Sequence, residues 1–293
     1  MNETKIHSKL EGLPHIRYLN LDKREDRKIY MEEHFEKYGI IDYVRISADR
    51  YGPHNFDEWK SKLTVAEYGK YVRKDNICYV SILVNQFQSI IDWYNDNISE
   101  TCIIAEDDLN LDTVKFWPFD WKYFISNLPC NWDCVQLQVI GGKWIPMGLT
   151  VRSRNNHGAT AYLINRRYVE KLINMHYIDN KFTFYNNYGY SKFWPEYHYQ
   201  SPDFVPFEIG ITYTFPLFIT NSNFGSDCYD GKINMMAKKS DFTIAKWWKE
   251  DSDRFSLQDL FSTNTVRRRE MIIPIQYNTY DTRKEYGHSH SGE

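Results

Sequence analysis

The chain has 293 residues and a formal net charge of −3 at pH 7, with a pI near 6.3, so no global positive field advertises nucleic acid. Hydrophobic residues at 42% and charged residues at 26% describe a globular protein that buries a core in one large domain or two modest ones. Aromatic residues reach 17%, which core and surface filler explains more simply than stacking platforms for sugars or bases.

Five cysteines (Cys78, Cys102, Cys130, Cys134, Cys228) are odd in number and scattered. They read as packing residues in a reducing cytoplasm rather than as a disulfide framework. The pair Cys130 and Cys134 has near-metal spacing, but no second pair or nearby His completes it. The N-terminus lacks an apolar signal region, and no run approaches the length of a membrane span. A cytoplasmic protein is expected.

Residues 15–21, HIRYLNL, read as a first strand, and residues 24–38 as a helix stopped by Gly39. Residues 42–48, DYVRISA, follow as a second strand, so the opening suggests a βαβ unit and a parallel sheet. Between residues 77 and 95, Val80, Val84, Phe87, Ile91 and Tyr94 recur at helical spacing. TCIIA at 101–105, CVQLQV at 134–139 and ATAYLI at 159–164 read as further strands. GGKWIPMG reads as a surface loop and RRYVEKLINMH as a helix. Residues 182–202 are Tyr- and Asn-rich and irregular. ITYTFPLFI is a strand that Pro216 places at an edge or bulge, and helices are expected at 244–250 and 257–261.

The strand TCIIA runs directly into Glu106, Asp107 and Asp108. Ligands of open α/β sheets bind beyond the carboxyl ends of strands, and adjacent carboxylates repel unless a cation neutralises them. Alternation puts Glu106 and Asp108 on one side, as an oxygen pair suited to Mg²⁺ or Mn²⁺. A solvated acidic turn is the plainer explanation. At the end of the first strand, NLDKREDR places Asn20, Asp22, Arg24 and Arg27 where polar groups grip a ribose or phosphate. The same residues also make an ordinary capped helix with local ion pairs.

The ordered series YLNLDKREDRKIYMEEHF, ISADR, a helix beginning CYVS, IIAEDDLNL, WDCVQLQ, HGATAYLINRRYVEKLI and SPD resembles glycosyltransferase family 25. That is the lipooligosaccharide and procollagen galactosyltransferase-like family. The resemblance covers residues 15–228. It implies an α/β, GT-A-like (Rossmann-type) fold with a mixed, mainly parallel sheet flanked by helices, and a less regular C-terminal portion. A catalytic domain over 1–230 and an extension over 231–293, packed on or completing it, are expected.

By the same resemblance, Asp108 holds Mn²⁺ or Mg²⁺ with Glu106 and Asp227. Asn20, Asp22, Arg24, Arg27, Ser81, Glu106, Asp107 and Ser226 face a UDP-sugar donor. Asp203, with Glu208 as substitute, is the general base. The family's Ser-His is here Ser81-Ile82, which puts donor or acceptor identity in doubt.

The implied activity is transfer of a hexosyl or pentosyl unit to an acceptor hydroxyl. A hydroxymethylated base of DNA, in a phage-encoded enzyme of the host cytoplasm, stands slightly ahead of a lipooligosaccharide or other glycan. The DNA acceptor requires Arg166-Arg167, Lys238-Lys239 and Arg267-Arg268-Arg269 to form a phosphate-contacting face. A catalytically inactive nucleotide-sugar-binding protein is the reading from another class. His288 and His290 read as part of a frayed terminus rather than as metal ligands.

Overall fold

The computed structural model describes residues 8–64, 77–184, 201–225, 227 and 231–275. Strand β1 (His15–Asn20) is buried along its whole length: Ile16, Tyr18 and Leu19 join the core, and the polar His15, Arg17 and Asn20 are covered as well. Helix α1 (Glu25–Lys37) carries Glu25 and Asp26 in its first turn and His34 and Lys37 in its last, an arrangement that complements the helix dipole. Gly39, with φ of 66°, stops it. Strand β2 (Tyr43–Ser47) then pairs parallel with β1.

Helix α2 (Ile77–Asp96) buries Val80, Leu83, Val84, Phe87, Ile90 and Ile91, but also Ser81, Asn85, Gln86, Gln88 and Ser89. An amphipathic surface helix would leave such polar residues wet. This helix has little free face, because helix α4 (Arg166–His176) and the segment after β2 cover it. Strand β3 (Thr101–Glu106) returns beside β1, parallel, with Leu19 opposite Glu106. The short β4 (Leu109–Asn110) and α3 (Trp121–Ser126) follow.

The central sheet adds β5 (Cys134–Gln136), β8 (Thr150–Val151), β10 (Ala161–Asn165) and β13 (Thr212–Thr214), in the order β2-β1-β3-β10-β5-β13-β8. Only β10 and β8 run antiparallel to their neighbours, so five of the seven strands share one direction. The mixed, mainly parallel sheet expected from the sequence is present. Side chains alternate between its faces. Ile103, Ala105, Val135, Ala161 and Leu163 pack with α1 residues Met31 and Phe35. Cys102, Ile104, Cys134, Tyr162 and Ile164 pack with α2 and α4.

Three expectations change. GGKWIPMG is no loop: β6 (Ile140–Gly141) pairs with β9 (Asn156–His157), and β7 (Trp144–Pro146) with β15 (Ile272–Pro274). ITYTFPLFI is broken around Pro216 into β13, inside the main sheet, and β14 (Ile219–Thr220), which pairs with β4. Proline offers no N–H for a ladder, so the run divides there.

The helix expected at 244–250 spans Gly231–Glu250 as α5, followed by α6 (Leu257–Phe261). Ahead of Ile244 the inward positions are the polar Ser240, Asp241 and Thr243, while Met235 and Met236 are exposed, so no apolar stripe marks that part of the helix in the sequence. Trp247, Trp248, Phe255, Leu260 and Met271 share the core cluster of Tyr18 and Ile103, so residues 231–275 complete the main body. Between β10 and β13, residues 185–200 of the Tyr- and Asn-rich stretch lie outside the described residues. No helix among the described residues is long and apolar enough to cross a membrane.

The cysteine reading needs correction. Cys78 is disulfide-bonded, and Cys130 is exposed rather than packed. Cys102 and Cys134 are the buried free thiols expected of strand residues.

Candidate active site

From β1 the chain crosses over through α1 to β2 on one side, then through α2 to β3 on the other. The carboxyl ends of β1 and β3 therefore flank a topological switch point, where departing loops part and leave a crevice. A cleft of about 620 Å³ opens there, reached by Asn20, Lys23 and Arg27 from the β1–α1 corner and by Glu106, Asp107 and Asp108 from the end of β3.

The three acids have different fates. Asp107 is buried and fully engaged: Arg27 Nη1 donates to its Oδ1 at 2.5 Å and Asn20 Nδ2 to its Oδ2 at 2.8 Å. Asn20 in turn accepts from Arg45 Nε at 2.7 Å, so a polar chain ties β2, β1 and β3 together beneath the cleft. Asp107, placed among the donor contacts from the sequence, is thus the acid that holds α1 to the sheet.

Glu106 and Asp108 are not compensated in this way. Burial, and then the charges of Asp108, Asp203 and Asp107, hold the Glu106 carboxyl above the usual carboxylate range. Burial and Asp107 likewise raise Asp108, against Arg27 and a hydrogen bond from Thr160. Asp108 Oδ1 is buried without a hydrogen-bond partner. Around these two stand further acids. Asp203 lines the cleft and accepts from Gly158 N–H at 3.0 Å on Oδ1. On α5, Asp241 is buried against Thr220, whose N–H and hydroxyl both donate to it; burial lifts it to about 7, with the Asp108 charge adding to the effect.

Such a set suits a hard divalent ion. The donors are all oxygens, one buried carboxylate oxygen has no donor, and the local charge is strongly negative. Among the described residues, no three His, Cys, Asp or Glu side chains form a ready cage.

The remaining expected site residues are placed as follows. Asp227 borders the cleft but meets cations: Arg24 Nη1 at 2.5 Å and Lys23 Nζ at 3.3 Å. Against the upward push of burial, these partners hold its carboxyl below the usual range. The structure therefore groups Asp227 with the β1–α1 basic corner and not with Glu106 and Asp108 as a metal ligand. Arg24 also forks onto Asp26 at 2.9 and 2.8 Å, and Arg27 donates to the Gly225 carbonyl. Asp22 is turned toward β2, bonded by Arg45 at 2.5 Å and Ser47 at 2.9 Å, and does not line the cleft.

Ser81 does line it, with its hydroxyl donated to the Tyr51 carbonyl. Glu208 does not line the cleft and pairs with Arg154 at 3.3 Å, whereas Asp203 does line it. Ser226 lies outside the described residues.

Several contributors were not singled out from the sequence. Thr160 and Gly158 come from the start of the ATAYLI block, and Asn85 from the middle of α2. Gly158 has φ of 97°, and a Cβ there would lie 2.4 Å from Gln138 Oε1. Only glycine lets this backbone pass and present its N–H to Asp203. Its place beside a small-residue strand was the available signal. Asp241 and Asn85 carried none, since each looks like an ordinary polar residue on a helix.

The basic runs are largely committed within the fold. Arg167 and Lys171 bind the buried Asp133, each at 2.6 Å. Arg166 lies over Tyr94 and donates to its carbonyl at 2.9 Å. Arg268 donates to the carbonyls of Met147, Leu149 and Ser262, and Arg267 pairs with Glu270 at 2.8 Å.

Fold and site together define an α/β protein with a carboxylate-rich cleft at the switch point of its sheet. In comparisons with known proteins, no protein-family model matches the chain and no curated protein matches it significantly.

Proposed function

We propose that this chain is a divalent-metal-dependent glycosyltransferase that moves a sugar from a nucleoside diphosphate, UDP by the sequence resemblance, to an acceptor hydroxyl. The observation that carries the reading is the pair Glu106 and Asp108. Two half-buried, mutually repelling carboxylates stand at the carboxyl end of a central strand, and Asp108 Oδ1, itself out of contact with solvent, lacks any donor. Evolution rarely keeps such a group uncompensated unless a ligand completes it.

Glu106 and Asp108 would hold Mg²⁺ or Mn²⁺, which supplies neutralisation of charge developing on the departing diphosphate. Lys23 borders the same cleft with its side chain largely exposed, so its ammonium can meet a phosphate, while Arg27 beside it is committed to Asp107. Asp203, whose Oδ1 is steadied by the Gly158 N–H, keeps a carboxylate in the cleft to take the acceptor proton.

The ion pairs and carbonyl contacts of Arg166, Arg167, Arg267 and Arg268 favour a glycan hydroxyl over the hydroxymethyl group of a DNA base, because uncommitted cations are what a phosphate backbone needs. Activity that falls little between 50 and 200 mM salt supports this choice, and a steep fall restores the DNA base.

The test is release of UDP from a panel of UDP-sugars with Mn²⁺, with and without acceptor. Metal-dependent release that Asp203→Asn suppresses supports the reading. UDP-sugar binding without release from any donor favours an inactive nucleotide-sugar-binding protein, and no binding of any nucleotide sugar overturns the proposal.

A further inference from the structure

The cleft extends beyond the acids. On the side of β2 and α2 it is lined by Ala48, Pro53 and Ile82, by the paired Asp49 and His54, and by Ser81 and Asn85. Adjacent strands lie about 4.8 Å apart, so the end of β2 is on the order of 10 Å from the end of β3. A nucleoside bridges a gap of that kind between its base and its phosphates. A slot of mixed apolar and polar lining at one end and the proposed cation site at Glu106 and Asp108 at the other match the two ends of a nucleoside diphosphate.

Asn85 is the distinctive group in this slot. It is 2% exposed. Its Nδ2 donates to the carbonyls of Ala48 at 2.9 Å, Ser81 at 3.0 Å and Tyr51 at 3.4 Å. Three acceptors around one nitrogen fix the orientation of the amide, since a flipped carboxamide would set oxygen against oxygen. Oδ1 is thereby turned away from those carbonyls, buried and without a partner. The neighbouring Ser81 hydroxyl is already given to Tyr51 and is not available to it. A buried acceptor with no donor, on a side chain fixed in orientation at the cleft lining, selects a ligand that brings an N–H.

We infer that Asn85 is a specificity-determining residue of the donor site, its Oδ1 accepting a hydrogen bond from the N–H edge of the nucleobase. This rests on the nucleotide-sugar reading above; for a uridine donor the group is the imide N3–H. Asn85 makes no contact with the reacting atoms in this role. It sets which nucleotide is held.

The decisive comparison leaves the protein unaltered. UDP and N3-methyl-UDP are titrated by calorimetry into the wild-type chain with Mn²⁺. The methyl group removes the donor and adds bulk at the same point, so affinity is expected to fall roughly tenfold or more. Asn85→Leu, of similar volume and with no acceptor, is expected to weaken UDP and to bind the two ligands within a factor of two or three.

Equal binding of UDP and N3-methyl-UDP by the wild type overturns the inference while leaving the glycosyltransferase reading intact. If ADP, CDP or GDP binds in place of UDP, the uridine assignment fails. The same test then applies to the N-methylated form of that base, and indifference to methylation again overturns the role of Asn85. Absence of binding by all four diphosphates overturns both readings. Because the first comparison needs no mutation, loss of folding in Asn85→Leu does not blunt it.

Discussion

Replacing Asp108 by Asn separates a carboxylate kept for a ligand from one kept for the fold. Asp108 is half-buried next to the buried Asp107, its carboxyl raised by burial and like charge, with Oδ1 shielded from solvent and unbonded. A buried acceptor lacking a donor costs about 1–3 kcal/mol, and repulsion from neighbouring acids adds to this at neutral pH. A carboxamide of the same shape retains an acceptor for Thr160, removes the charge and gives Glu106 a donor to meet.

Part of the gain is lost in seating the new NH₂ group, so a net stabilisation of about 1–2 kcal/mol is expected. For a chain of this size that is a rise of about 2–5 °C in Tm. Added Mn²⁺ should reverse the order. A ligand at a hundred times its Kd stabilises the wild type by about 2.7 kcal/mol, and the variant should show almost no response. Differential scanning calorimetry at pH 7.5 in EDTA and then in Mn²⁺ reads both effects. A variant that is less stable in EDTA and still shifts with Mn²⁺ would refute the reasoning, because Asp108 would then be a structural acid and the ion would be held elsewhere.

Three further outcomes follow from the geometry. Arg27→Ala strands the buried Asp107 and should cost about 3–5 kcal/mol in urea unfolding; pairing it with Asp107→Asn should recover a large part, and full additivity of the two changes would contradict their coupling. Gly158→Ala forces a side chain at φ of 97° toward Gln138 Oε1 and the Ile140 nitrogen, so a loss of about 1–3 kcal/mol is expected, with a larger fall in turnover as the anchor of Asp203 shifts. His34 accepts from Leu111 N–H at 2.8 Å, and burial lowers it to about 4. The unfolded chain therefore binds the extra proton, and stability present above pH 6.5 declines as pH falls toward 4, by up to about 3 kcal/mol from this group. His34→Gln keeps an acceptor and does not titrate; its unfolding free energy should fall less steeply between pH 7 and 5, and parallel slopes would exclude His34 as the cause.

Much of the architecture was legible in the residues. The apolar run Cys102–Ala105, too short for a helix, is the heart of β3, and Gly39 ends α1 where the sequence places its stop. Acids at the end of TCIIA had to emerge at a strand's carboxyl edge, because strand geometry carries them there whatever surrounds it. These are local properties, set by side-chain periodicity over a few residues.

Which acid does what was not local. Asp107 is neutralised by Arg27, 80 residues earlier in the chain, while Asp108 one position on has an oxygen with no donor, and no reading of EDD by itself distinguishes them. Asp227 looked like a further metal ligand until the fold set it against Arg24 and Lys23. Glu208 was a reasonable base until Arg154 held it outside the cleft. Asp241 and Asn85 stood on helices as unremarkable polar residues, yet packing buried both, one near Asp108 and one under the slot at β2. Composition and periodicity decide whether a residue lies in a strand or a helix. Whether its charge is met, and by what, depends on long-range contacts that exist only once the chain has closed.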